Sequence, residues 1–165
     1  MYKRQGDEVE KNIELLDDLE LLAKMQEIEP DIKALKSYYK DTANPITVIA
    51  VEKNKSMQEI IKALKPLSKH IAILVIVDTF NNDLENPYML IWRVVNNIDA
   101  KRDITLEPFI AIDGTNKNEL DGFKREWPKD VHCTKEILDK LQQKGLIDID
   151  EKFIIDFGLL EYKLY

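Results

Sequence analysis

The sequence predicts an α/β domain built on a mostly parallel sheet and preceded by acidic helices. Three observations carry this. Ile71–Val77 is a run of seven apolar residues, the pattern of a strand covered on both faces. Apolar β-branched runs alternate with stretches of helical periodicity through the second half of the chain, as in βαβ units with right-handed crossovers. Helix-start signals fall between these runs, at Ser56-Met-Gln-Glu59 and at Asn86-Pro87.

The elements follow in order. Val9, Ile13, Leu16, Leu19, Leu22 and Ala23 lie at helical spacing among many acids, which predicts an amphipathic helix over residues 8–28, ended by Pro30. A second short helix is expected over Asp31–Lys40, with Ile32, Leu35 and Tyr39 on one side, and Asp41–Pro45 is a linker rich in turn formers. Residues 1–45 thus form an acidic helical segment and linker, and residues 46–165 the compact α/β domain. Ile46–Val51 is a strand. The helix begun by Ser56 carries Ile60, Ile61 and Leu64. The helix begun by Asn86-Pro87 is expected to bury Leu90, Ile91, Val94, Val95 and Ile98. Asp103–Leu106 and Phe109–Ile112 are short strands. Thr134 caps a helix holding Ile137, Leu138 and Leu141 that stops at Gly145. Phe153–Phe157 is expected as a last strand, followed by an apolar tail, Leu159–Tyr165.

Composition excludes several classes of function. The chain has 165 residues, 44% of them hydrophobic, with 24 basic against 31 acidic side chains and a net charge of −7. Such a surface repels phosphate backbones, so no nucleic-acid partner is expected. The single cysteine, Cys133, allows no internal disulfide and fits a reducing, cytoplasmic setting. No apolar run approaches the ~20 residues that span a bilayer, and no signal peptide is read at the N-terminus. The first five residues, Met-Tyr-Lys-Arg-Gln, read as translated adapter, which would place the native start upstream.

Few residues offer chemistry by pattern alone. Asp78 stands at the carboxyl end of the buried strand, where open α/β sheets place functional groups; a carboxylate capping a nearby turn is the plainer role. The loop Asn81–Asn86 and the group Asp148, Asp150 and Glu151 lack the glycine of a calcium loop. His132-Cys133 are sequence neighbours, which point apart, and make a poor nucleophile–base pair. No glycine-rich phosphate loop is present. Lys62, Lys65 and Lys69 precede the central strand, where an ammonium could meet a phosphate held by a neighbouring domain; a solvated basic face is the simpler account. Trp92, Phe109, Phe123 and Trp127 lie among mixed charges, as aromatics at a subunit or domain contact do, with core packing an equal explanation for Trp92.

Several motifs occur in fixed order: Ile71–Asp78, a strand ending in an acid; Trp92–Asp103, a Trp-led helix closing in Asp99, Arg102 and Asp103; Ala111–Lys117, reading Ala-Ile-Asp-Gly-Thr-Asn-Lys; and Gly122–Pro128, reading Gly-Phe-Lys-Arg-Glu-Trp-Pro. Together they resemble the C-terminal domain of the UbiD family of decarboxylases over about residues 46–146. The spelling of residues 86–99 is similar to the menaquinone-pathway branch of Campylobacter-like bacteria. Gly114 stands where the family pattern has Ala, and Asn97 where many relatives carry Arg.

The resemblance implies a three-layer α/β sandwich with a mostly parallel sheet. It also implies that the chain is an N-terminally truncated portion of a non-oxidative decarboxylase of an aromatic acid in menaquinone or ubiquinone biosynthesis. UbiD enzymes use prenylated flavin mononucleotide with a divalent metal (Mn or Mg) and potassium. Their acid–arginine pair and metal ligands lie in upstream domains, so no catalytic or metal-ligating residue is expected here, and no cofactor bound by this fragment alone. The C-terminal domain builds the homo-oligomer and packs against the site. In some relatives a lysine before the central strand approaches the flavin phosphate; Lys65 is the nearest positional match, with Lys69 the alternative. A lipophilic quinone precursor would add membrane association to a cytoplasmic enzyme. Two other readings are a stand-alone oligomerisation or binding module of the same fold, without catalysis, and a small nucleotide-binding regulator, which the missing phosphate loop disfavours.

Overall fold

The structure, a computed structural model, describes residues 13–80, 82–128 and 133–156. A five-stranded sheet in the order β1-β2-β3-β5-β4 organises the domain. β2 (Ile46–Val51), β3 (Ile73–Asp78) and β5 (Ile110–Asp113) are parallel and central. β1 (Ile32–Tyr38) and β4 (Ile104–Thr105) are antiparallel edges. Both faces are covered, so the domain has the three layers expected. On one face α1 (Asp18–Ile28) and α2 (Met57–Ala63) bury Leu21, Met25, Met57, Ile60 and Ile61 against Ile49, Val51, Leu74, Ile76 and Ala111. On the other, α3 (Pro87–Asn97) buries Leu90 and Val94 against Val48, Ala50 and Val77. Odd and even positions of the central strands thus enter different cores, which is why these strands read as unbroken apolar runs.

β2, α2 and β3 form one βαβ unit. Glu59 starts α2 by reaching back to accept from the Ser56 amide (3.1 Å). The path from β3 to β5 is longer. Residues 82–86 lie at the far end of the sheet, where the Tyr38 hydroxyl donates to the Leu84 carbonyl and Lys36 pairs with Glu85 at 2.8 Å. Asn86, its side chain accepting from the Met89 amide, starts α3 there. α3 then runs to the carboxyl end of the strands, where Asn97 meets Asn116 at 3.4 Å. α4 (Ala100–Asp103) turns the chain, β4 descends and β5 rises beside β3.

Four expectations are corrected. The helix expected over Asp31–Lys40 is the edge strand β1. Its two-residue alternation is hidden by a bulge between Ile32 and Ala34, which puts both Ile32 and Leu35 on the α1 face. Lys33 and Lys36 on it are the charges that keep an edge strand from pairing further. The division at residue 45 therefore runs through the β1–β2 hairpin. The first helix is shorter than residues 8–28: among described residues it begins at Asp18, because Asp17 accepts from the Glu20 amide (2.9 Å) and caps it. The strand expected over Phe153–Phe157 is a short helix, α6 (Glu151–Asp156), since the Asp150 carboxylate accepts from the Phe153 amide at 2.7 Å. Finally, Ile91 and Val95 on α3 are not buried; they are 61% and 60% exposed. α5 (Lys135–Gln143) is capped by Thr134 as expected. The tail Leu159–Tyr165 and His132 lie outside the described residues.

Candidate functional site

The carboxyl ends of β2, β3 and β5 gather a dense polar cluster. Lys53 follows β2 and its ammonium donates to the Thr115 hydroxyl (2.8 Å), the Asn116 carbonyl (2.7 Å) and the Asp121 carboxylate (2.5 Å). Asp78 ends β3 and accepts from the Asn116 amide at 2.8 Å. Asp113 ends β5 and accepts from both the amide and the hydroxyl of Thr115. Lys117, one turn on, is fully buried. It lies 2.8 Å from the Asp113 carboxylate and 3.6 Å from that of Asp103, and donates to the Asp113 carbonyl. Asp103 in turn receives both forks of Arg102 at 2.6–2.7 Å and the Asp99 amide.

The chain folds this way because Asp113-Gly-Thr-Asn-Lys117 leaves a parallel strand with nothing to continue it. The Asp113 side chain supplies the turn, as an Asx motif does. Gly114 is required by a close approach: a Cβ there would stand 2.9 Å from Val94 Cγ2 and 3.2 Å from the Ile76 carbonyl oxygen. α3 therefore sits against this turn more closely than a larger residue permits. The two nearby carboxylates shift in opposite directions. Burial pushes the Asp78 carboxyl up, more than the Asn116 amide lowers it. Burial also pushes Asp103 up, but the Arg102 fork and the Asp99 amide outweigh it and hold that carboxyl below its ordinary value.

A shallow cavity of about 360 Å³ opens beside the cluster, lined by Lys53, Asp78, Thr79, Phe80, Asn116 and Asn118. The ammonium of Lys53 is already surrounded by three acceptors and that of Lys117 by carboxylates. Neither is aimed at a bound anion. No group of three or more His, Cys, Asp or Glu among the described residues could hold a metal ion. The residues of this cluster thus do not fit a divalent metal or a flavin phosphate; their pairing closes the loops over the sheet end.

A second cleft, of about 490 Å³, lies between the carboxyl-terminal half of α3 and the segment 122–128. Trp92 and Arg93 line one wall. The opposite wall is Phe123 and Trp127 in edge contact, with ring centres 5.1 Å apart. Arg102 lies 5.8 Å from the Trp127 ring and Arg125 5.2 Å from Phe123, within cation–π range. The motif Gly-Phe-Lys-Arg-Glu-Trp-Pro is therefore one wall of a concave surface.

The sequence-predicted residues are not brought together. Lys65 is exposed in a 3₁₀ turn (Lys65–Leu67) that precedes β3, at the opposite end of that strand from Asp78. Lys69 pairs with Glu14 at 2.7 Å, and His70 meets the Glu14 carbonyl. Cys133 is exposed. Lys53 and Asp121 carry no motif, so sequence reading passes over them. Lys117 could have been found: an i,i+4 pairing back to Asp113 across a strand end is legible in Asp-x-x-x-Lys.

The sequence and fold agree with known proteins. The family described as the 3-octaprenyl-4-hydroxybenzoate carboxy-lyase C-terminal domain matches residues 12–140. Two Helicobacter pylori proteins, from strains J99 and 26695, are each 44% identical in an alignment of 155 residues that covers 90% of this chain and 25% of theirs. The chain thus spans a quarter of the length of these relatives. An evolved dimeric form of the UbiD-class enzyme HmfF from Pelotomaculum thermopropionicum, in complex with prFMN, superposes with a TM-score of 0.54 at 21% identity, over 79% of this chain and 29% of that one. The Sedimentibacter hydroxybenzoicus vanillic acid decarboxylase in open form gives 0.56 at 17% identity, over 78% and 32%. Both likenesses are of fold. With most of its length matched by the family, the chain belongs to the UbiD C-terminal domain family.

Proposed function

We propose that this chain is the C-terminal portion of a UbiD-family, prenylated-FMN-dependent decarboxylase of an aromatic acid in menaquinone or ubiquinone biosynthesis. The protein acts in the cytoplasm as a homo-oligomer. The observation that carries the reading is the match to the family domain together with the length of the relatives, only 25% of which this chain covers. The polar cluster of the described residues is paired within itself, and in this reading the catalytic groups, metal and potassium sites belong to the rest of the polypeptide. No helix among the described residues is long and apolar enough to cross a membrane.

In this reading Lys65 contributes one ammonium to the cofactor phosphate, from across a domain or subunit boundary. Its support is availability: Lys65 is exposed, and no carboxylate pairs with it among the described residues, whereas Lys69 is held by Glu14. The test is the longer polypeptide, purified with its flavin and followed by visible absorption. Lys65→Ala should release cofactor about ten- to a hundredfold more readily, the range for loss of one charge-assisted bond. Lys62→Ala should not. Full flavin retention in Lys65→Ala would remove Lys65 from the role, and a reading frame with no upstream continuation would overturn the portion assignment.

A further inference from the structure

The chain parts between β2 and β3. After β2 the next helix, α2, covers one face of the sheet; after β3 the next helix, α3, covers the other. Open α/β sheets hold ligands in the crevice that such a parting leaves outside the carboxyl ends of the strands. The cavity of about 360 Å³ occupies this position. Glu52 and Lys53 border it from the end of β2, and Asp78, Thr79 and Phe80 from the end of β3. The Thr79 amide ties the two strand ends together, donating to the Val51 carbonyl at 3.1 Å.

Asp78 is the member of the polar cluster whose pairing is incomplete. Lys53 pairs with Asp121, Lys117 with Asp113 and Asp103, and Arg102 with Asp103. No cation pairs with Asp78 among the described residues. Its Oδ2 accepts from the Asn116 amide, while its Oδ1 accepts no hydrogen bond and is reached by solvent. Burial holds this carboxyl above its ordinary value, despite the Asn116 amide. A cation at Oδ1 would offset that cost. Glu52, the other acid at the crevice, already meets Lys33 at 3.2 Å and adds no open charge.

The open negative charge stands beside an open ring. Phe80 borders the same crevice and is 75% exposed. An aromatic face next to a carboxylate suits an organic cation. A guanidinium suits both partners at once: its plane stacks on a ring while its fork donates to a carboxylate.

We infer that the crevice between the ends of β2 and β3 binds a guanidinium group, with its fork on the Asp78 carboxylate and its plane against the Phe80 ring. Lys53 and Lys117 keep their own pairs, so the rest of the cluster remains architecture. The site lies at the opposite end of β3 from Lys65 and has no part in the proposed decarboxylation. The group can arrive on a free guanidino compound or on an arginine side chain.

The test is a titration of the nitrogen-15-labelled 165-residue chain with butylguanidine. The amide resonances of Thr79, Phe80 and Asn116 should shift saturably. Asp78→Asn should raise the dissociation constant at least about tenfold. Phe80→Ala, a change at an exposed position, should raise it about two- to fivefold. Glu52→Gln should bind as the parent does, and butylamine, which carries the same charge without the plane, should bind more weakly. Unchanged circular dichroism in each variant keeps loss of binding apart from loss of fold. A blocked arginine, N-acetylarginine methylamide, separates the two sources: binding tighter than that of butylguanidine assigns the site to an arginine side chain, and weaker binding to a free compound. Shifts that do not saturate, or an affinity unchanged in Asp78→Asn, would overturn the site. Butylamine binding as tightly as butylguanidine would overturn its assignment to a guanidinium. None of these readouts involves flavin or carbon dioxide, so their failure is distinct from failure of the decarboxylase reading.

Discussion

The polar cluster at the strand ends and the cleft beside α3 lie at the same end of the sheet, yet they are built on opposite terms. In the first, Lys117 and Lys53 are buried and each is surrounded by its own acceptors. In the second, guanidinia stack on rings and apolar side chains stand in water. The pairing within the first cluster accounts for the burial of its charges without a ligand. A surface that leaves apolar area open is where another molecule belongs. The family motifs feed both: Asp-Gly-Thr-Asn-Lys makes the first, and Gly-Phe-Lys-Arg-Glu-Trp-Pro makes one wall of the second.

The strongest way to break this contrast is Lys117→Met. It leaves Asp103 and Asp113 buried without their shared ammonium, and removing one partner of a buried pair costs about 3–5 kcal/mol. Urea unfolding should show a loss of that size. A loss below about 1 kcal/mol, the scale of an exposed pair, would mean the cluster is solvated and available to a ligand. Lys53→Ala comes next. It strips three acceptors of one donor, and a bond to a charged group contributes about 1.5–3 kcal/mol. The expected fall in stability is in that range, with the loop 115–121 gaining amide exchange first.

Gly114→Ala sharpens the comparison from the side of α3. Its new methyl would press on Val94 and on the Ile76 carbonyl, an overpacking cost of about 1–3 kcal/mol. Val94→Ala should relieve much of it in the double variant, measured as a non-additive thermal shift. Simple additivity would show that the turn, not the helix contact, sets the size limit there.

The smallest effect separates the two carboxylates by pH. Asp78 has its carboxyl raised by burial, so its ionised form costs stability above that raised value, and the cost fades as pH falls through the ordinary carboxylate range near 4. Asp78→Asn should therefore be slightly more stable than the parent at pH 7, with the difference vanishing at acid pH. Asp103 has the opposite sign: its stabilisation is full above the ordinary value and is lost as pH falls through its lowered one. Asp103→Asn should be destabilising at pH 7, and that difference should also close on acidification. Urea midpoints of parent and variants at both pH values check the two signs.

The layers of the fold are legible because the parallel strands are buried on both faces, and Ile71–Val77 can be little else. The edge strand β1 is not legible, since a bulge and two lysines erase its alternation and leave a pattern that also suits a helix. α3 misleads differently. Its apolar residues on both sides predict burial, and the single chain covers only one side, so Ile91 and Val95 emerge exposed. The cluster itself was half visible: Asp113 and Lys117 stand in a motif. Lys53 and Asp121 meet only after the chain has closed over the sheet end, at separations no local pattern records.

If, as proposed, the decarboxylase chemistry lies outside this chain, its polar cluster is architecture. Carbon dioxide release tests it most directly. The 165-residue chain, supplied with prenylated FMN, a divalent metal, potassium and an aromatic acid, should release none above background, while a polypeptide of the relatives' full length should release it under the same conditions. Release by the short chain, abolished by Lys53→Ala or Asp78→Asn with the fold intact, would contradict the account and make the strand-end cluster an active site.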